Sequence, residues 1–132
     1  NTLRPKACAA IIRDGKILMV RHQNGGRHYW TLPGGGVIEG ESPEQATIRE
    51  VLEETHLDVS IVKLLFEEPY EYGVSYCFLA TVKDGAEAIL GNDPEEKDVP
   101  HQQRMLQEIA WHSLEDLKDD QQVSKVIAML AL

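Results

Sequence analysis

The sequence predicts an α/β domain with a mixed sheet, and three features of the chain indicate this class. Strand-like apolar runs open the chain, a helix with a full set of start signals follows over 43–55, and further strands and helices close it. The 132 residues are most simply one domain spanning 1–132, because a chain of this length buries a real core without disulfides.

The individual elements follow from the apolar runs and the turn residues between them. Asp14-Gly15 is a strong hairpin-turn pair between the first two runs. A polar loop is expected at 23–28 and a glycine loop at 33–36, and 91–103 is a long polar segment. The expected strands are 6–13, 16–20, 29–32, 57–66, 74–82 and 103–110, and C-terminal helices are expected over 113–117 and from Asp120 onward.

The helix over 43–55 has strong local signals for its start. Ser42 is a preferred N-cap residue, Pro43 stands at the first helical position where its missing N–H is no loss, and Gln45 completes a capping box. We therefore predict a helix that begins at Pro43 and runs to about Thr55.

The two sides of this helix differ in chemistry. At about 100° per residue, an apolar stripe is expected to face the core, and three glutamates gather on the other side, where carboxylates repel by roughly 0.2–0.5 kcal/mol per pair. Arg49 is placed to pair with Glu53 alone, so a hard divalent cation would neutralise this face. A solvated acidic face is the alternative. The stripe is Ile48, Val51, Leu52 and Thr55, and the glutamates are Glu50, Glu53 and Glu54.

Composition and charge exclude several classes of protein. The formal net charge of −9 argues against a groove for a long nucleic acid, which depends on clustered Lys and Arg. Cys8 and Cys77 stand alone in apolar runs, which favours buried reduced thiols and a cytoplasmic location. No stretch reaches the length of a membrane span. The start on Asn1 rather than methionine leaves removal of an upstream segment open.

The spacing of residues across 35–57 resembles the signature of the Nudix hydrolases, a family that cleaves nucleoside diphosphates linked to another group. His56 departs from that signature, which has glycine there. The position follows the helix end, where a left-handed backbone is expected and glycine adopts it most freely. The matching residues are Gly35, Glu41, Arg49, Glu50, Val51, Glu53, Glu54 and Leu57.

The resemblance implies a Nudix-type α/β/α sandwich with a mixed sheet and a metal-dependent pyrophosphohydrolase. Glu50, Glu53 and Glu54 would hold Mg²⁺ or Mn²⁺ at the diphosphate. Glu41 and Arg49 would form a supporting pair that orients these ligands.

The resemblance also places a further metal-ligating or base carboxylate in the polar segment 91–103, which contains Asp93 and Asp98 among its acidic residues. Glu95 and Glu96 are the candidates, and a solvated acidic loop is the alternative for either one. The general base stays open between these two residues and the glutamates of the helix.

The implied substrate is a small nucleoside diphosphate derivative: ADP-ribose or a similar sugar, a dinucleoside polyphosphate or a nucleoside triphosphate. The Tyr29-Trp30 pair favours ADP-ribose-type substrates, and the chain is expected to be a monomer or a homodimer.

The rival function is a sensing module that binds a nucleotide metabolite without turnover, and an acidic interaction domain has only the net charge in its favour. Candidate substrate-binding residues are Arg21, Arg27, Trp30, Gly34, Gly35, Gly36 and Tyr72. The alternatives are solvated surface charges for the arginines, a plain turn for the glycines and a sheet-edge cover for the tyrosine.

Overall fold

A seven-stranded sheet and two helices make up the computed structural model, which describes residues 4–92 and 94–131. Asp93 lies outside the described residues. In chain order the strands are β1 (Lys6–Arg13), β2 (Lys16–Asn24), β3 (Arg27–Thr31), β4 (Gly34–Gly36), β5 (Val59–Tyr70), β6 (Gly73–Val82) and β7 (Leu106–Ser113), the helices are α1 (Pro43–Thr55) and α2 (Gln121–Leu130), and 3₁₀ turns lie at Lys83–Gly85, Pro94–Glu96 and His101–Gln103.

The sheet is built around β1. Its main path runs β3-β2-β1-β6-β5, with β4 added to β1 and β7 added to β2. β1 and β6 are parallel, and the other pairs are antiparallel. A parallel pair needs a long crossover, and the segment that contains α1 supplies it. The predicted mixed sheet is confirmed.

Alternate residues of β1 face opposite sides of the sheet, and each side is covered by one helix. Ala9 is buried in a cluster with Val51 of α1. Its neighbour Ala10 is buried on the other side with Val123 of α2. Helices on both faces give the expected α/β/α sandwich, and the predicted last helix is confirmed from its Asp120 N-cap onward.

Two of the predicted loops are strands in the structure. The polar loop expected at 23–28 is a hairpin, because Gly25 and Gly26 supply consecutive positive φ angles of 59° and 83° between β2 and β3. The glycine loop contains β4, which pairs with the start of β1. A three-residue strand of glycines has no side-chain pattern, so only its pairing partner reveals it.

The helix expected over 113–117 is wrong. Ser113 instead ends β7, where it pairs with Lys16, and the residues that follow it form turns. The Leu114 N–H donates to the carbonyl of Gly15 at 3.0 Å, which ties the turn to the first hairpin. Pairing across the sheet therefore outweighs the local helix-capping signal of the serine.

Cys8 and Cys77 are free and buried, as predicted. They stand opposite each other on β1 and β6, a neighbourhood that the sequence did not indicate. Hydrogen bonding with Cys8, together with burial, raises the pKa of the Cys77 thiol far above its usual range. Within the described ranges, no helix is long and apolar enough to cross a lipid bilayer.

Candidate active site

Helix α1 carries the predicted catalytic face, and its two ends are built as the sequence predicts. The Ser42 Oγ accepts from the Gln45 N–H at 3.1 Å, and the Gln45 Oε1 accepts from the Ser42 N–H at 2.8 Å. His56 closes the helix with φ 61° and ψ 17°. The capping box and the left-handed backbone at His56 are both confirmed.

The rotation of α1 about its axis differs from the prediction. Leu52, expected in the core, is 49% exposed, whereas Thr47 is fully buried and Glu54 is 6% exposed. Val51 and Thr55 of the predicted stripe are fully buried, so the buried side is turned away from Leu52 and toward Thr47 and Glu54. This rotation brings the carboxylates against the sheet instead of leaving them in water.

The glycines of β4 allow this close approach. A Cβ atom on Gly35 would lie 2.6 Å from the Glu50 Cδ, and one on Gly34 would lie 2.2 Å from the carbonyl oxygen of Ala7. Both distances are below any normal contact. At Gly34 the clash is with the backbone of β1, so only glycine fits there, whereas a side chain at Gly35 would displace the Glu50 carboxyl. Gly34 also donates its N–H to the Glu54 Oε1 at 2.9 Å.

Arg49 is the centre of an ion-pair network. Its guanidinium binds Glu41 through two hydrogen bonds of 2.8 and 3.0 Å, which together with the Ile38 N–H hold the pKa of Glu41 below its usual value. It also donates to Glu50 at 2.9 Å and to Glu53 at 3.1 Å. The sequence prediction that Glu50 lacks a basic partner on its own helix is therefore wrong, because Arg49 reaches the adjacent residue as well as the one a turn ahead.

Glu54 is held by groups from outside its helix. Besides the Gly34 N–H, the Nε2 atom of His22 lies 3.4 Å from the Glu54 Oε2. This nitrogen is buried and has no hydrogen-bond partner in the described part of the chain. Leu18 of β2 packs in the cluster with Val51 of α1, and His22, four residues further along the strand, lies on the same side of the sheet by alternation.

The pKa of Glu50 is raised to about 7. Burial is the largest cause, and the nearby Glu54 adds to it, whereas the hydrogen bond from Arg49 acts in the opposite direction. One guanidinium thus does not neutralise this group of carboxylates.

These side chains line one cleft of about 410 Å³ between β4 and α1. The polar segment reaches the cleft because its backbone is tied to the end of α1. The N–H groups of Ile89, Gly91 and Asn92 donate to the last helical carbonyls at 2.8, 2.8 and 3.1 Å. Of the predicted residues, those that line the cleft are Gly34, Gly35, Gly36, Arg49, Glu50, Glu53, Glu54 and Glu95.

The two candidate carboxylates of the polar segment have different surroundings. Glu95 lines the cleft. The Glu96 carboxylate instead accepts from the Met105 N–H at 3.0 and 3.2 Å. Glu96 therefore has a structural contact that accounts for it, and we do not include it among the proposed metal ligands.

Four of the predicted substrate-binding residues lie outside the cleft. Arg21 pairs with Glu108 at 2.7 Å, and Arg27 lies over the Tyr29 ring. Trp30 packs edge-on against His112, with ring centroids 4.6 Å apart, and its other neighbours belong to the core on the α2 side. Tyr72 is 48% exposed in the β5–β6 turn.

Sequence reasoning missed two residues that line the cleft, His22 and Arg4. His22 lies beyond the strand expected at 16–20, whereas β2 continues to Asn24 in the structure and carries His22 on the α1 side of the sheet. The Arg4 side chain lies against Gly36, where an added Cβ would be 2.4 Å from its Nε. The strand pattern begins at Lys6, so nothing in the local sequence marks Arg4.

The donor set of the cleft suits a hard divalent cation. Glu50, Glu53 and Glu54 offer carboxylate oxygens, which Mg²⁺ and Mn²⁺ prefer. Burial, together with the nearby Glu54, disfavours the charged form of Glu50 and raises its pKa, and a bound cation would offset that cost. In residues 4–92 and 94–131, no three acidic, His or Cys groups are already gathered into a metal cluster. Arg49 occupies oxygens of Glu50 and Glu53, so a cation would displace part of that contact.

Known sequences resemble this chain over much of its length. A family model described as the NUDIX domain matches residues 2–130. The chain is 32% identical over 115 residues to an NAD-capped RNA hydrolase NudC of Edwardsiella ictaluri, covering 87% of this chain and 41% of that protein. It is 47% identical over 53 residues to an RNA pyrophosphohydrolase of Proteus mirabilis, covering 40% of this chain and 29% of that protein. The chain thus spans less than half the length of these curated relatives.

Solved structures share the architecture. A MutT NUDIX hydrolase from Burkholderia pseudomallei superposes with a TM-score of 0.67 at 25% identity, covering 96% of this chain and 95% of that chain. An ADP-ribose pyrophosphatase from Streptococcus suis gives a TM-score of 0.71 at 22% identity, covering 98% of this chain and 91% of that chain. The second likeness shows the fold alone.

Proposed function

The chain belongs to the NUDIX domain family, and from that premise we propose that it is a metal-dependent pyrophosphohydrolase of small nucleoside diphosphate derivatives. The observation that carries the proposal is the shared cleft, in which Glu50, Glu53 and Glu54 face the glycines of β4. The name of the RNA pyrophosphohydrolase, which denotes cleavage of a diphosphate, supports this class.

In this proposal the three glutamates hold Mg²⁺ or Mn²⁺, with Glu95 as a further ligand at the rim of the cleft. A cation held there would neutralise non-bridging phosphate oxygens and lower the pKa of a bound water. The chain itself positions the carboxylates: Gly34 fixes one oxygen of Glu54, and Arg49 fixes Glu41, Glu50 and Glu53.

The glycines of β4 let the Glu50 carboxyl and the Arg4 guanidinium lie directly against the strand backbone, since an added Cβ at Gly35 or Gly36 would meet these groups. Arg4 and Arg49 are the cationic side chains that line the cleft among the described residues. Arg49 is shared among three carboxylates, which leaves Arg4 as the arginine placed to contact a phosphate. The proton of the attacking water would pass to one carboxylate of this set.

The test is hydrolysis of a panel of nucleoside diphosphate sugars, dinucleoside polyphosphates and nucleoside triphosphates with Mg²⁺ or Mn²⁺, followed by release of nucleoside monophosphate or phosphate. We expect metal-dependent turnover of at least one compound and its loss in excess chelator. Tight binding of a panel compound without turnover would instead establish the sensing module. Turnover undiminished by the chelator would overturn the metal mechanism.

A further inference from the structure

Two tyrosines lie at the tip of the hairpin between β5 and β6. Tyr70 ends β5, and Tyr72 follows in the turn. Their rings meet edge-on, with centroids 6.1 Å apart, and the Lys6 ammonium lies over the Tyr70 ring at 5.0 Å. The Tyr70 ring is therefore held by two neighbours, which restrict the direction of its hydroxyl.

The hairpin tip binds the backbone of Arg4, which lies just before β1. The Tyr70 hydroxyl donates to the Arg4 carbonyl, and the Arg4 N–H donates to the Tyr72 carbonyl at 2.8 Å. One residue further on, the carbonyl of Pro5 accepts from the Val37 N–H at 2.9 Å, directly after β4. The segment before the sheet is thus tied on two sides, and the hydrogen bonds to the Arg4 backbone come from the hairpin.

The Arg4 side chain runs from this anchored backbone into the catalytic cleft. Its guanidinium lies against β4, where a Cβ added to Gly36 would be 2.6 Å from the Arg4 Cζ, and Arg4 lines the cleft beside the carboxylates of α1. The Arg49 guanidinium is shared among three of these carboxylates, whereas that of Arg4 forms no ion pair or hydrogen bond within residues 4–92 and 94–131. The N–H donors of Arg4 are therefore available to a ligand.

We propose that Tyr70 is a positioning residue for substrate binding: its hydroxyl anchors the backbone of Arg4, so that the guanidinium meets the diphosphate in the cleft. The inference rests on the proposed function, which supplies the diphosphate. An arginine binds phosphate oxygens through N–H donors in a rigid fork, so its affinity depends on where its backbone is held. A segment that had to be ordered on binding would lose part of that affinity to the entropy of ordering.

The matched variant is Tyr70→Phe, which removes the hydroxyl and keeps the ring against Lys6 and Tyr72. The measurement is equilibrium binding of methylenediphosphonate, a diphosphate analogue that water does not cleave, in the presence of Mg²⁺. Arg4→Ala should weaken binding by roughly tenfold or more, and Tyr70→Phe by roughly three- to tenfold, as for the loss of a charged and of a neutral hydrogen bond. For a nucleoside diphosphate that the parent hydrolyses, both variants should raise KM with kcat little changed, because the contact holds the ground state and the transition state alike.

A double-mutant cycle separates positioning from a general effect on the fold. If Tyr70 acts through Arg4, Tyr70→Phe should cause no further loss of affinity in an Arg4→Ala background. Tyr72→Phe is the control and should bind like the parent, because Tyr72 holds Arg4 through its backbone carbonyl rather than its hydroxyl. Hydrogen exchange at the Arg4 amide should be faster in Tyr70→Phe than in the parent, and this readout needs no ligand.

The outcomes separate this inference from the proposed function. In a parent that hydrolyses a nucleoside diphosphate, parental diphosphonate affinity in Tyr70→Phe would overturn the inference and leave the proposed function standing. An equal loss of affinity with and without the Arg4 side chain would do the same, since Tyr70 would then act by another route. Coupled losses of affinity in a protein without any hydrolysis would support the inference and count against the proposed function. Unchanged exchange at the Arg4 amide in Tyr70→Phe would show that the hydroxyl does not anchor the segment.

Discussion

Glu50 combines an unfavourable charge environment with a proposed ligand role. Its side chain is 18% exposed and lies beside Glu54, and its pKa is raised to about 7. Between the usual pKa of 4.5 and about 7, the folded state binds a proton that the unfolded state has released. Stability therefore falls as pH rises through this window and stays at the lower level above it.

The resulting prediction concerns the metal-free protein. In excess chelator, Glu50→Gln should match the parent near pH 5 and exceed its free energy of unfolding at pH 8 by about 2 kcal/mol, since the glutamine has no charge to bury. Urea unfolding at both pH values measures the difference. A variant that is less stable than the parent at pH 8 would show that the Arg49 contact outweighs the burial and repulsion of the charge.

His56 occupies a backbone conformation that favours glycine. With φ at 61° and an exposed side chain, it retains left-handed strain of roughly 1–2 kcal/mol. His56→Gly should stabilise the protein by about 0.5–1 kcal/mol after glycine's larger unfolded-state entropy is subtracted, as measured by chemical unfolding. His56→Ala keeps the Cβ and should show no such gain. A less stable glycine variant would indicate side-chain contacts that outweigh the strain.

At the scale of elements, the end of α1 depends on a segment more than thirty residues away. Gly91 has no room for a side chain, because an added Cβ would lie 1.9 Å from the carbonyl oxygen of Glu53. The tether that brings Glu95 to the cleft therefore requires glycine at this position.

Gly91→Ala should destabilise the protein by roughly 1–3 kcal/mol and abolish the slow hydrogen exchange of the amides at 91 and 92. Gly85→Ala is the control, since nothing lies within 4 Å of its added Cβ and only the backbone at φ 59° is strained. If Gly91→Ala and Gly85→Ala lose equal amounts of unfolding free energy, and the amides at 91 and 92 stay protected from hydrogen exchange, then this segment does not hold the end of α1.

The elements also show what the sequence can and cannot predict. The start of α1 depends on residues 42–45, which interact with one another, and so the capping box was predictable in full. The rotation of α1 depends on contact with the glycines of β4, which carry no pattern of their own. Leu52 was therefore misplaced, and the burial of Glu54 was missed.

For the whole molecule, the α/β class with a mixed sheet was predictable because apolar runs and turn pairs agree, and the resemblance of 35–57 to the Nudix signature implied the α/β/α sandwich. Apart from Glu95, the site was predictable only where it lies in one continuous stretch of sequence. His22 and Arg4 come from β2 and from the segment before β1, and long-range contacts bring them to the same cleft. Trp30 and Tyr72 were assigned to the site by residue type, but Trp30 packs against His112 and Tyr72 lies in the β5–β6 turn.

Thermal melts of Glu50→Gln with and without Mg²⁺ or Mn²⁺, beside initial rates, decide whether the carboxylate face of α1 binds the catalytic cation. We expect the cation to raise the Tm of the parent, because a ligand of the folded state stabilises it, and the variant to lose most of this gain and most of its turnover. Glu44→Gln, an exposed glutamate on the first turn of the same helix, should behave like the parent in both. A Glu50→Gln protein with the full metal-induced gain in Tm and near-parental turnover would contradict the account.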